Sequence, residues 1–259
     1  MSEPARPVLD RFRLDGRVAL VTGASRGLGA AMAVALAEAG AKVALAATKE
    51  PHATAVHIRQ RGGDAEAFAA DLADRAAPAR LLDAVHARFG GADILVNNAG
   101  IIRRANVLEF SDADWDAVME VNARAAFVLS REFAKRLAER KARGSIINIA
   151  SMLSFQGGIR VCAYTAAKSA LAGLTRAMAN ELAPLGINVN AIAPGYMATD
   201  NTSALRADPA RNKSILERIP AARWGEPDDL AGAVVYLASP AAAYVHGIIL
   251  PVDGGWLAR

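Results

Sequence analysis

A chain of 259 residues, 53% of them hydrophobic and 22% charged, can bury a large core and is neither fibrous nor disordered. The formal net charge of +4 comes from 30 basic residues scattered among 26 acidic ones, which predicts anionic small molecules as partners rather than nucleic acid. Cys162 is the single cysteine, so an internal disulfide is excluded and a reducing compartment fits, and no apolar run is long enough to cross a bilayer. The opening MSEPARPVLD has no apolar stretch of a secretory signal, so the expected location is the cytoplasm.

Short apolar runs then alternate with longer Ala-rich segments. RVALVTG (17–23) reads as a buried strand, GAAMAVALAEAG (29–40) as a helix and KVALAAT (42–48) as a second strand. HATAVHIRQRGG (52–63) is a helix closed by glycines, EAFAADL (66–72) a strand, and a helix runs on to ARFGG (87–91). DILVNNAG (93–100) is a strand, and Ser111 caps one long helix over 112–141. GSIINIAS (144–151) and INVNAIAP (187–194) are strands around a helix from Ala163 to Leu182; EPDDLAGAVVYLAS (226–239) is a helix and GIILPVDGG (247–255) the last strand. This alternation predicts an α/β fold: one Rossmann-type domain over 1–259, a doubly wound parallel sheet of seven strands with helices on both faces. Residues 196–225 are polar, weakly periodic and without an obvious strand, and are expected to form a small lid.

The first strand ends in TGASRGLG, with Gly23, Gly27 and Gly29 between strand and helix. Glycines there let the backbone turn sharply and approach a pyrophosphate at a helix N-terminus. A site reading NAD places an acid at the end of the second strand. Here the sequence is LAATKE, so Thr48 stands without a carboxylate, and Lys49 and Arg26 can meet a 2′-phosphate; either NAD or NADP is expected. Asp71 ends the third strand, where it contacts adenine or caps the next helix. Asn97 and Asn98 cap backbone groups or line the cofactor.

Asn122 is polar within an apolar helical stretch, either a structural bridge or part of a relay. Ser151 follows a parallel strand, at the edge where such sheets bind ligands. Tyr164 and Lys168 stand four apart and share a helix face. A nearby ammonium favours a phenolate, which would let Tyr164 exchange a proton with a carbinol or carbonyl oxygen. Taken alone, the pair reads as an ordinary helical contact.

TGASRGLG, NNAG, Asn122, Ser151 and the Tyr164–Lys168 pair occur together and in order, and in this the chain resembles the short-chain dehydrogenase/reductase family over nearly its whole length. The resemblance implies hydride transfer between a nicotinamide and a carbonyl or alcohol. It implies Tyr164 as acid/base, Lys168 on the nicotinamide ribose lowering the tyrosine pKa, Ser151 on the reacting oxygen and Asn122 in a proton relay through water. The implied cofactor contacts are Gly23, Ser25, Arg26, Gly27, Leu28, Gly29, Thr48, Asp71, Leu72, Asn98, Ala99, Gly100, Tyr164, Lys168, Pro194 and Gly195. No metal is implied.

IIRRANVLEFSDADWDAVM, IASMLSFQGGIRV, INVNAIAPGYMATDNT, RIPAARWG and VDGGWLAR are similar to members of that family that act on keto-sugar acids. A carboxylate favours a guanidinium, and Arg103, Arg104, Arg160 and Arg206 are candidates, with Arg103 and Arg160 favoured. Gln156 and Met197 are expected pocket walls. Other gluconate-type ketones, carrier-protein-bound ketones and a non-catalytic dinucleotide-binding scaffold are the alternatives. The family is commonly a homotetramer, and that assembly is implied here.

Overall fold

The computed structural model describes residues 7–259, so the first part of the N-terminal reading and the start of the 1–259 domain lie outside the described residues. Seven strands form one parallel sheet: β1 (Val18–Thr22), β2 (Lys42–Ala47), β3 (Ala65–Ala69), β4 (Ile94–Asn97), β5 (Gly144–Ile149), β6 (Ile187–Pro194) and β7 (Ile249–Val252). Their order is β3-β2-β1-β4-β5-β6-β7. The helices are α1 (Gly27–Glu38), α2 (His52–Gln60), α3 (Ala77–Phe89), α4 (Asp112–Met119), α5 (Ala125–Glu139), α6 (Cys162–Leu182), α7 (Ser203–Ala207), α8 (Pro209–Leu216) and α9 (Ala231–Ala238). No helix among the described residues is long and apolar enough to cross a membrane.

The strands are continuous apolar runs because both sheet faces are covered. Alternate side chains of β1 show this: Ala19 and Val21 pack under α1, α2 and α9, while Val18 and Leu20 pack under α3, α5 and α6. Strand order reverses between β1 and its neighbour β4, which opens a crevice at their carboxyl ends. TGASRGLG and NNAG both leave the sheet at that crevice.

The register also aligns polar residues inside the sheet. Asn97 faces Asn148 across β4 and β5. Asn97 Nδ2 donates to Ser130 Oγ and to Asn148 Oδ1, both at 2.8 Å, and Asn148 Nδ2 donates to Thr175 Oγ1 at 2.9 Å. This satisfied chain couples the sheet to α5 and α6 in the buried interior. Asn97 thus neither caps a backbone group nor lines the cavity; it bridges side chains inside the fold.

Three segments depart from the expected elements. Ser111 caps as expected, its side chain accepting from Asp114 N, but the long helix is broken by a π-helical turn over Glu120–Arg124. The cause sits at its centre: Asn122 Oδ1 accepts from Ile101 N at 2.8 Å, and its Nδ2 donates to Ile101 O at 2.9 Å. The helix bulges where its buried amide clamps the loop after β4. The 226–239 helix begins as a 3-10 turn over Pro227–Leu230, where Asp229 closes a capping box on Glu226. Residues 196–225, weakly periodic in sequence, contain the short helices α7 and α8. Asp208 Oδ1 caps α8 by accepting from Ala210 N at 3.0 Å and Arg211 N at 3.1 Å, and Pro209 opens the helix. Ala198 N→Gly225 O at 2.7 Å and Gly225 N→Tyr196 O at 2.9 Å close the base of this excursion.

The buried amide chain gives a direct stability test. Asn148→Ala removes both of its hydrogen bonds, and the cost should be about 1–3 kcal/mol in urea unfolding. An unchanged midpoint would show that the chain contributes nothing.

Candidate active site

The glycine turn is built on a close approach. Gly23 has φ +65°, and a Cβ on Gly29 would overlap the Gly23 carbonyl and the Asn98 amide. Thr22, which the sequence reading passed over, ties the turn to β4. Its Oγ1 accepts from Asn98 N and Ala99 N, both at 3.0 Å, and donates to Val96 O at 3.2 Å. Asn98 Nδ2 donates to Thr22 O at 2.9 Å and Gly23 O at 3.1 Å. The side chain of Asn98 therefore shapes the turn, beside the exposed start of α1.

Above this turn lies a cavity of about 1510 Å³, large enough for a dinucleotide and a small substrate together. Its wall includes Gly23, Ser25, Arg26, Gly27, Leu28, Gly29, Thr48, Lys49, Asp71, Leu72, Asn98, Ala99 and Gly100, then Ser151, Gln156, Tyr164, Lys168 and Gly195. Asp71 Oδ1 accepts from Ala73 N at 3.0 Å, a local turn contact made at the cavity wall. Arg26 pairs with Asp200 at 3.3 Å, an exposed bridge from the glycine turn to the 196–225 segment. Lys49 has no acidic partner among the described residues. A glycine cradle that a Cβ would fill, a helix N-terminus and cations in place of an acid after β2 fit a nicotinamide dinucleotide, including one with a 2′-phosphate.

Ser151 caps the 3-10 turn Met152–Ser154, its Oγ accepting from Leu153 N at 3.1 Å. It also stands near Tyr164, on the first turn of α6, where it acts to lower the tyrosine pKa. One turn on, the buried Lys168 Nζ donates to Ile149 O at 2.6 Å and lies 5.5 Å from the Tyr164 ring centroid. The net direction is opposite to the expected lowering: removal from water pushes the Tyr164 phenol up to about 12, opposed by Ser151 and then by Arg104. Burial also pushes Lys168 down to about 8. At neutral pH Tyr164 is therefore a proton-bearing phenol and Lys168 mostly an ammonium.

Six expected site residues stand off the cavity wall, each for a visible reason. Asn122 lies beneath the wall, with both amide atoms committed to Ile101. Pro194 is held inside the sheet, opposite Val252. Met197 is 4% exposed and packs in the core that includes Leu230 and Val234. Arg103 turns away to Asp114, with 3.2 Å between Nε and Oδ1. Arg160 has φ +64°, and its carbonyl accepts from Ala105 N at 3.2 Å. That left-handed turn leaves its neighbours Ile159 and Val161 on the wall instead. Arg206 spends its guanidinium on Thr199 O at 3.1 Å. The arginines on the wall are Arg26, Arg104, Arg211 and Arg218. The last two, with Ser214 and Ile215, follow an i, i+3, i+4, i+7 pattern readable in the sequence.

Comparison with known proteins agrees with this geometry. The family model described as enoyl-(acyl carrier protein) reductase matches residues 23–257. The chain is 54% identical over 252 residues to 2-dehydro-3-deoxy-D-gluconate 5-dehydrogenase of Dickeya dadantii, covering 97% of this chain and 100% of the relative. A solved Agrobacterium tumefaciens protein with bound NADP, named as a candidate 2-deoxy-D-gluconate 3-dehydrogenase, is 60% identical with TM-score 0.92, covering 96% of this chain and 99% of that one. A gluconate 5-dehydrogenase of Burkholderia cenocepacia, solved with NADP and tartrate, is 40% identical with TM-score 0.93, covering 98% and 100%. The chain belongs to the short-chain dehydrogenase/reductase family, NAD(P)-dependent oxidoreductases that act on CH–OH groups.

Proposed function

We propose that this chain interconverts a keto-sugar acid and its alcohol, as a 2-dehydro-3-deoxy-D-gluconate 5-dehydrogenase. The observation that carries the chemistry is the grouping of Tyr164, Ser151 and Lys168 on a cavity wall shared with the dinucleotide cradle. The sugar-acid substrate is supported by full-length similarity to the Dickeya dadantii enzyme, which extends through residues 196–225.

When bound, the nicotinamide supplies or accepts the hydride. In the reductive direction Tyr164 gives its phenolic proton to the ketone oxygen, and Ser151 holds the same oxygen. The Lys168 ammonium stabilises the phenolate left behind and is placed to hold the nicotinamide ribose. Asn122 acts as a positioning residue through Ile101, at the turn that starts the substrate side of the cavity. A phenol whose pKa stands at about 12 carries its proton at neutral pH, as the donor of the reductive step requires. Lys49 and Arg26 favour NADP, and NAD remains a substrate of the same site.

Location and assembly belong to the same proposal. A lone Cys162 supports a reducing compartment, the cytoplasm. The exposed Trp115 and Phe127, on α4 and α5, support self-association as a homotetramer.

The reading is tested by coupled absorbance assays with both NADP and NAD. The panel is 2-dehydro-3-deoxy-D-gluconate and D-gluconate, oxidised with NADP+ or NAD+, and a 3-oxoacyl thioester, reduced with NADPH or NADH. Turnover should be fastest with 2-dehydro-3-deoxy-D-gluconate; preference for the thioester would overturn it. Tyr164→Phe separates an enzyme from a cofactor-binding scaffold. It should lower kcat by roughly 10²–10⁴-fold while fluorescence titration shows NADPH binding unchanged. Undiminished turnover would contradict the assigned proton transfer.

A further inference from the structure

The sugar-acid reading requires a carboxylate site, and neither arginine favoured from the sequence reaches the cavity. We propose that Arg211 and Arg218, on the inner face of α8 and the turn after it, form the carboxylate-recognition pair of this enzyme. The proposal rests on the function given above and names the residues that select an acid.

The first support is placement. Arg211, Ser214, Ile215 and Arg218 occupy one helical face, and all four line the cavity. Ile215 is 3% exposed and packs in the cluster of Met152, Ile219 and Trp256, which seats that face against the rest of the fold. The two guanidiniums therefore flank an anchored apolar residue.

The second support is charge. Arg26 on the wall is paired with Asp200, and Arg103 off the wall with Asp114. Arg211 and Arg218 have no acidic partner among the described residues. The acidic wall residues stand elsewhere: Glu50 follows β2 beside His52, Asp71 follows β3, and Asp200 is committed to Arg26. The wall formed by α8 thus carries two cations without a neutralising side chain, an arrangement an incoming anion completes.

The third support is preorganisation. Arg218 stacks over the Trp256 ring at 3.9 Å, and its Nη2 donates to Gln156 Oε1 at 3.4 Å. The indole is itself fixed, since Trp256 is 4% exposed and Tyr196 meets it edge-on at 4.7 Å between centroids. A guanidinium has five N–H donors in a rigid fork, and one contact to Gln156 leaves the others for a carboxylate. Gln156 lies on the loop that begins at Ser151, so the same side chain joins this site to the reaction centre.

The test compares wild type with Arg211→Ala, Arg218→Ala and Arg218→Lys in two assays. In steady-state oxidation, 2-dehydro-3-deoxy-D-gluconate is set against its uncharged C1 amide. Each alanine variant should raise the acid-to-amide KM ratio about tenfold, as expected for loss of a charge-assisted contact, with partial recovery in Arg218→Lys. In calorimetry on the NADP-loaded protein, D-gluconate affinity should fall by a similar factor. Acid turnover with an unchanged KM ratio in both alanine variants overturns the carboxylate pair and leaves the sugar-acid reading standing. Wild type inert on the acid, with D-gluconate binding still weakened in the variants, overturns that substrate and keeps the pair. Neither turnover nor gluconate binding overturns both.

Discussion

Lys168 Nζ reaches the Ile149 carbonyl at 2.6 Å from inside the protein, and this contact fixes how α6 lies on the end of β5. The Lys168 carbonyl is held in turn by Ser154 Oγ at 2.7 Å. One helix residue is thus tied at both ends to the segment that carries Ser151. That double tie gives Tyr164, one turn earlier, a defined position beside the serine. Burying an amine costs solvation, which is why its pKa falls to about 8. The position is held at the expense of a weaker ammonium.

The same economy recurs around the site. Buried polar groups there are nearly all engaged: Asn97 and Asn148 link the sheet to α5 and α6, and Asn122 links the π-helical turn to Ile101. Cations without an acidic partner, among them Lys49, Arg211 and Arg218, stand on the cavity wall. Rigid neutral amides set the frame, and open cations face the cavity. This division explains how a chain with a modest net charge of +4 presents a strongly cationic interior surface.

Much of this was readable from residue order. Strands buried on both faces appear as apolar runs, so all seven were visible, and Ser111 was recognisable as a cap. The π-helical turn was not, because apolar periodicity on each side of Asn122 is indifferent to a one-residue bulge. The directions of Arg103 and Arg160 were hidden for different reasons. One depends on Asp114, eleven residues ahead, and the other on a positive φ at a non-glycine residue. Residues 196–225 looked irregular because α7 and α8 are short and mostly polar outside. The spacing of Arg211, Ser214, Ile215 and Arg218 nevertheless carried the inward face. Proximity to the cofactor strand did not find the arginines that line the cavity at α8; helical register does.

The central claim is that burial keeps Tyr164 a phenol, ready to donate. Ultraviolet difference titration of the free protein, wild type against Tyr164→Phe, isolates this tyrosine from the other three. With its pKa pushed up to about 12, no Tyr164 phenolate should appear as the pH rises to ~10, the ordinary tyrosine value. A phenolate signal half-developed at or below that pH would contradict the account.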